Sequence, residues 1–168
     1  QDCNKGALAW VGRVAPEKGL EDAAYVANKL GEKLKVWGIV QDMSYALKIE
    51  KLFSPGILEW KGFLETEELQ KELGSCRALL NTPKWNEAYG NVVVEAMACG
   101  VPVVAYKRGG PSEIIRHGET GFLAKPDDKD NLLFYLKIIN KIKRKNCRKW
   151  VEKNASSNIF ASKVLSWL

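Results

Sequence analysis

The 168-residue sequence has one histidine and four cysteines, and it lacks most of the residue patterns that hold metals or cofactors. Cys3, Cys76, Cys99 and Cys147 are far apart, and no Cys-x-x-Cys pair occurs, so the ligands of a zinc site are too few. No metal site is expected. Cys76 and Cys99 sit beside apolar segments, where cysteine serves as a small buried hydrophobe, and free thiols in a reducing compartment are the expectation. His117 falls in RHGETG, which reads as a turn rather than as a ligand or base. No apolar run approaches the roughly 20 residues needed to cross a bilayer, and the N-terminus has no basic-then-apolar signal pattern. A soluble chain is expected. No Gly-x-Gly-x-x-Gly and no Walker lysine motif follows the first apolar run, which excludes dinucleotide-binding and P-loop readings. There is no internal repeat and no low-complexity linker.

What is present is enough apolar residue, 46%, to bury one core in a chain of single-domain length. The sequence starts without methionine and enters a strand-like run within a few residues, so a piece of a longer protein is expected. The net charge of +6 is concentrated in KIINKIKRKNCRKW near the C-terminus. Such a run is ordinarily a solvated helix face, and it also suits an anionic membrane surface. Nucleic acid is the weaker partner, because the segment has few aromatics on which bases could stack.

Short β-rich runs alternate with helical patterns along the chain, which predicts an α/β fold: a doubly wound parallel sheet with helices on both faces. The predicted strands are ALAWV (7–11), KLKVWGIV (33–40), GILEWKG (56–62), RALLNT (77–82), VPVVAY (101–106) and GFLAK (121–125). Helices are predicted at 20–30, 44–52, 66–73, 91–99 and 129–140, with one or two more formed by the basic segment and SKVLSWL. Ligands of open α/β sheets bind beyond the C-terminal strand ends. Three glycine-bearing loops follow predicted strands there: VGRVAPEKG, EAYGN and KRGGPSE.

The densest chemistry lies in EAYGNVVVEAMACGVPVVAYKRGGPSE. Glu87 sits in a loop, Gly90 lets the backbone approach a ligand, and the helix that follows directs its N-terminal amides at that loop, where they favour anions. Glu95 lies inside the helix. A carboxylate there accepts hydrogen bonds from hydroxyls, which suits a sugar or ribose diol. Arg13 and Lys18, between Gly12 and Gly19, are two cations able to neutralise a diphosphate. Each pattern alone also fits solvated surface charge.

EAYGNVVVEAMACGVPVVA resembles the Glu-x7-Glu signature of retaining GT-B glycosyltransferases, above all the family 4 group, and KRGGPSEIIRHGETGFL and VGRVAPEKG resemble that family's flanking elements. The resemblance covers nearly the whole chain. It implies the Rossmann-like C-terminal half of a GT-B fold that binds a nucleotide-sugar donor, residues 1–168 forming that domain, with the N-terminal acceptor domain outside this chain. It further implies that Arg13 and Lys18 hold the donor diphosphate, that Glu95 binds the ribose and that Glu87 approaches the transferred sugar, with Arg13, Lys18 and Glu87 catalytic. Gly12 and the backbone at Tyr89, Gly90, Asn91 and Val92 would meet sugar and phosphates, and Gly62, Phe63 and Leu64 would cradle the base. No cofactor and no bound metal are implied. Sugar transfer with retention by front-face attack follows from the same resemblance, while the free thiols and the basic segment lead to the expectation of a cytoplasmic protein, free or peripheral at the inner face of a membrane. This chain alone would be inactive. Three alternatives stay open: a nucleotide-sugar-binding module without catalysis, a basic nucleic-acid-binding domain, and an anion-binding phosphatase or isomerase, for which no nucleophile is found. Donor base, sugar and acceptor are not read from the residues.

Overall fold

The computed structural model describes residues 6–155, so SKVLSWL and Cys3 lie outside the described residues. Six strands, β1 (Leu8–Val11), β2 (Leu34–Trp37), β3 (Leu58–Gly62), β4 (Ala78–Asn81), β5 (Val103–Tyr106) and β6 (Gly121–Ala124), form one sheet in the order β3-β2-β1-β4-β5-β6. Every pair is parallel. Parallel strands covered on both faces have no polar face to show, which is why Leu8, Ala9, Leu79, Val103, Val104 and Ala105 are all at 0% exposure. Truncating one of them, as in Leu79→Ala, would cost about 2–5 kcal/mol.

The connections are α1 (Leu20–Leu30), α2 (Met43–Leu52), α3 (Thr66–Gly74), α4 (Asn91–Ala98), α5 (Gly109–Ile114), α6 (Lys129–Lys137) and α7 (Arg144–Asn154). Right-handed crossovers put α1 and α2 on one face and α3, α4 and α5 on the other. The packing agrees: α1 meets α2 and α6, while α4 meets α3, α5 and α7. Strand order reverses between β1 and β4, so the crevice at their C-terminal ends is the expected ligand position.

Two elements depart from the sequence reading. KRGGPSE, expected as a loop, carries the short helix α5: Pro111 falls in its first turn, where a missing N–H costs nothing. The helix expected over 129–140 ends at Lys137 and passes through Ile138 into a 3-10 turn, Ile139–Lys141. Consecutive β-branched residues lower helix propensity, and Ile139 turns into the core at 1% exposure. Of the two cysteines expected to be buried, free Cys76 is buried and free Cys99 is only half-buried; free Cys147, for which no burial was expected, is buried as well.

Candidate functional site

Glycine sets the start of both helices that face the crevice. Gly19 caps α1 at φ 66° and Gly90 caps α4 at φ 67°, and neither supplies a side-chain cap. A Cβ on Gly19 would stand 1.9 Å from the Thr82 carbonyl oxygen, so only glycine lets the β1–α1 and β4–α4 segments touch. They are further stitched by the Thr82 hydroxyl donating to the Gly19 carbonyl at 2.7 Å and the Lys84 N–H donating to the Glu17 carbonyl at 2.8 Å.

Between these segments lies a cavity of about 270 Å³. Gly12, Arg13 and Lys18 line it from one side, and Glu87, Tyr89, Gly90, Asn91 and Val92 from the other. Lys18 Nζ pairs with Glu87 Oε1 at 2.5 Å, and the two side chains are only 19% and 22% exposed. Trp85 Nε1 donates to the same carboxylate at 3.1 Å, and its ring lies 5.3 Å from Lys18 Nζ. Arg13 Nη1 donates to Gln41 Oε1 at 3.0 Å. The arrangement offers two cations, one carboxylate and the N-terminal amides of α4 to one ligand.

A second, apolar cavity of about 200 Å³ adjoins the first through Val11, Gly12 and Arg13, and is closed by Trp37, Phe63, Leu64 and Leu69. Trp37 Nε1 here and Asn81 Oδ1 at the larger cavity are buried without a hydrogen-bond partner among the described residues. Buried polar atoms left unpaired are costly. No group of three metal-ligating side chains occurs among the described residues, and none of their helices is long and apolar enough to cross a membrane.

Comparison with known proteins gives the geometry its context. The family model for glycosyl transferases group 1 matches residues 3–157. The chain belongs to that family. It is similar to the sulfoquinovosyl transferase SQD2 of Arabidopsis thaliana, 36% identical over 132 residues that cover 77% of this chain and 25% of the plant protein. Among solved structures, the sucrose-phosphate synthase of Thermosynechococcus elongatus matches with a TM-score of 0.86 at 21% identity, over 99% of this chain and 45% of its own. Anabaena HepE, in complex with UDP and glucose, matches with a TM-score of 0.79 at 24% identity, over 98% of this chain and 49% of its own. These likenesses show the fold, that of GT-B glycosyltransferases. The chain spans a quarter of the plant relative and about half of the two structures.

Against this glycosyl transferase group 1 frame, the expected residues divide. Gly12, Arg13, Lys18, Glu87, Tyr89, Gly90, Asn91 and Val92 come together at one cavity, and Phe63 and Leu64 line its apolar neighbour. Gly62 lines neither; at φ 70° it ends β3 and accepts the Gly38 N–H at 2.9 Å. Glu95 also lies outside both linings, one turn into α4 from Asn91, half-buried, and burial raises its carboxyl above the ordinary 4.5. KRGGPSE does not line the cavity. Its glycines let α5 press on the back of the Glu87 loop, where a Cβ on Gly109 would stand 2.1 Å from the Glu87 carbonyl oxygen and the Gly110 N–H donates to that oxygen at 2.6 Å. Sequence reasoning missed Trp10, Asn81 and Thr82 as cavity residues. Their position at strand ends beside glycine loops was the available signal.

Proposed function

We propose that this chain is the donor-binding domain of a glycosyltransferase whose parent protein transfers a sugar from a nucleoside-diphosphate sugar to an acceptor hydroxyl with retention of configuration. One observation carries the reading: the Lys18–Glu87 pair stands at the mouth of α4 with Arg13 beside it, in the crevice where the strand order reverses. The family supplies the reaction class, and the complex of HepE with UDP and glucose supplies a precedent for the ligand.

In this reading, Arg13 and Lys18 meet the diphosphate and the apolar cavity at Phe63 and Leu64 takes the base. Glu95 turns to the ribose, and Glu87 meets the transferred sugar. As the sugar–phosphate bond breaks, negative charge grows on the leaving oxygen, and cations already fixed in the cavity stabilise that charge without reorganisation. The departing phosphate assists deprotonation of the acceptor hydroxyl on the same face, which retains configuration. The cations take the role that a divalent metal has elsewhere, so no metal is needed. The acceptor and the second wall of the cleft belong to a domain outside this chain, and the chain alone transfers no sugar.

Isothermal titration of the chain with UDP, GDP and ADP, each with and without EDTA, tests the binding part. One diphosphate should bind with the same affinity in both conditions, and strict dependence on magnesium or manganese would defeat the cation argument.

A further inference from the structure

Behind the donor cavity, and outside its lining, a second charged cluster joins four parts of the rim. Asp22, in the first turn of α1, is 4% exposed. It forms an ion pair with Lys84 Nζ and accepts the Tyr106 hydroxyl at 2.5 Å. Lys84 Nζ also reaches Asp127 Oδ1 at 3.2 Å, and Arg108 grips both oxygens of Asp127 at 3.0 and 2.5 Å. Arg108 Nη1 donates in addition to the Pro83 carbonyl at 2.8 Å. Among the described residues Asp127 alone has a positive φ without being glycine, at 63°, a conformation that persists where surrounding contacts hold it.

The members of this cluster are turned to one another, not to the cavity. What they grip are the two segments that carry Lys18 and Glu87. Asp22 follows Lys18 by four residues, and Lys84 precedes Glu87 by three, so each segment contributes one cation and one carboxylate to two successive pairs of opposite sense. The front pair, Lys18–Glu87, faces the cavity. The rear pair, Lys84–Asp22, is backed by the buried Tyr106 ring, whose hydroxyl burial and Asp22 hold protonated as a hydrogen-bond donor.

We propose that Lys84, through its pair with buried Asp22, is a positioning residue of the donor site: it clasps the β4–α4 segment to the start of α1 and so sets where Lys18 and Glu87 stand. The inference rests on the donor-site reading for its ligand. A shifted arrangement of the two loops would leave the buried Asp22 carboxylate as a bare charge, a cost that favours the one register in which Lys84 reaches it. Loops otherwise move, and a misplaced binding group loses affinity steeply with distance.

The test uses the chain with Lys84→Met, Lys84→Arg, Asp22→Asn and the double variant Asp22→Asn/Lys84→Met, with UDP as probe. Lys84→Met should weaken UDP binding by roughly tenfold, the scale of a lost positioning contact. Lys84→Arg should recover most of that loss. The double variant removes both charges, so it should regain the melting temperature lost by Lys84→Met without regaining affinity. Affinity that returns together with stability would reduce the pair to a structural role and overturn the proposal, as would unchanged UDP binding by Lys84→Met. Amide exchange without ligand decides the matter even if the parent chain binds no UDP, a result that would count against the donor reading alone. In Lys84→Met the backbone N–H at position 84 and its neighbours up to Glu87 should exchange faster than in the parent while the core strands do not change. Equal exchange in the two proteins would refute the clasp.

Discussion

The cations of the crevice rim and the cations of the basic segment from Lys137 to Lys153 carry the same formal charge in opposite circumstances. Lys18 and Lys84 are each held by a carboxylate of another segment in pairs largely shielded from water, and Arg108 is held by Asp127, whose own side chain is 52% exposed. Lys137, Lys141, Lys143, Lys145, Arg148, Lys149 and Lys153 stand exposed, and the ion pairs of the described residues all lie elsewhere. Arg144 differs from its neighbours on α7 by capping the carbonyls of Gly74 and Cys76 at 2.7 and 2.8 Å. A charge held between segments fixes geometry, and a charge in solvent sets only the long-range field. The net charge of the chain therefore says little about its site.

The sharpest break in this comparison is a stability measurement. Lys84→Met leaves Asp22 buried without its cation, and it should cost about 2–3 kcal/mol, below the 3–5 kcal/mol of a fully buried pair because Lys84 keeps part of its hydration. Lys149→Gln and Lys153→Gln should each stay within about 0.5 kcal/mol of the parent. Urea unfolding of the three variants compares them directly, and similar losses in all three would erase the distinction between rim and helix.

Next in size is an asymmetry between the two carboxylates. Glu95→Ala should weaken UDP binding by about 1.5–3 kcal/mol, the scale of hydrogen bonds to a charged group. Glu87→Ala should leave UDP binding unchanged or tighter, because UDP has no sugar for Glu87 to meet and Lys18 is released from its 2.5 Å pair. Equal weakening in the two titrations would show the assigned roles to be wrong. In the parent enzyme, Glu87→Ala should instead depress turnover.

Glu95 also gives a pH signature. Burial raises its folded carboxyl above 4.5, so the folded chain holds that proton more tightly than the unfolded chain does. This contribution to stability is greatest below the ordinary value and is lost as pH rises through the raised one. Glu95→Gln removes the loss. Its stability relative to the parent should increase from acid to neutral pH, and a flat difference across that range would place Glu95 in full solvent contact.

How much of this was legible in the sequence follows the same division. The strands were readable because a parallel sheet buried on both faces turns VPVVAY and ALAWV into unbroken apolar runs, and the glycines of VGRVAPEKG and EAYGN marked close approach at strand ends. Arg13, Lys18 and Glu87 were candidates from their neighbours in the chain. Lys84 was not. Its partner Asp22 is 62 residues away, and its second carboxylate, Asp127, is 43 away, so local spacing contains no trace of either contact. The helix α5 was missed for a related reason: Gly109 and Gly110 read as a flexible loop, while their function is to let a helix start against the backbone of Glu87 and Tyr89.

The smallest effect concerns the exposed basic segment, and it sharpens the comparison from the other side. If the segment from Lys137 to Lys153 docks the parent enzyme on an anionic membrane, its charges must be free, as those of its exposed lysines and Arg148 are and those of the rim are not. Each Lys or Arg near such a surface contributes about 1 kcal/mol, and salt screens the attraction within about 10 Å at 0.1 M. Co-sedimentation of the chain with anionic vesicles at low salt should therefore exceed that with neutral vesicles, and the excess should shrink at physiological salt. Lys149→Gln/Lys153→Gln should lower the excess, whereas Lys18→Gln, which removes a paired cation, should not. Equally poor pelleting with both kinds of vesicle at low salt would leave the basic face of α7 as a solubility feature.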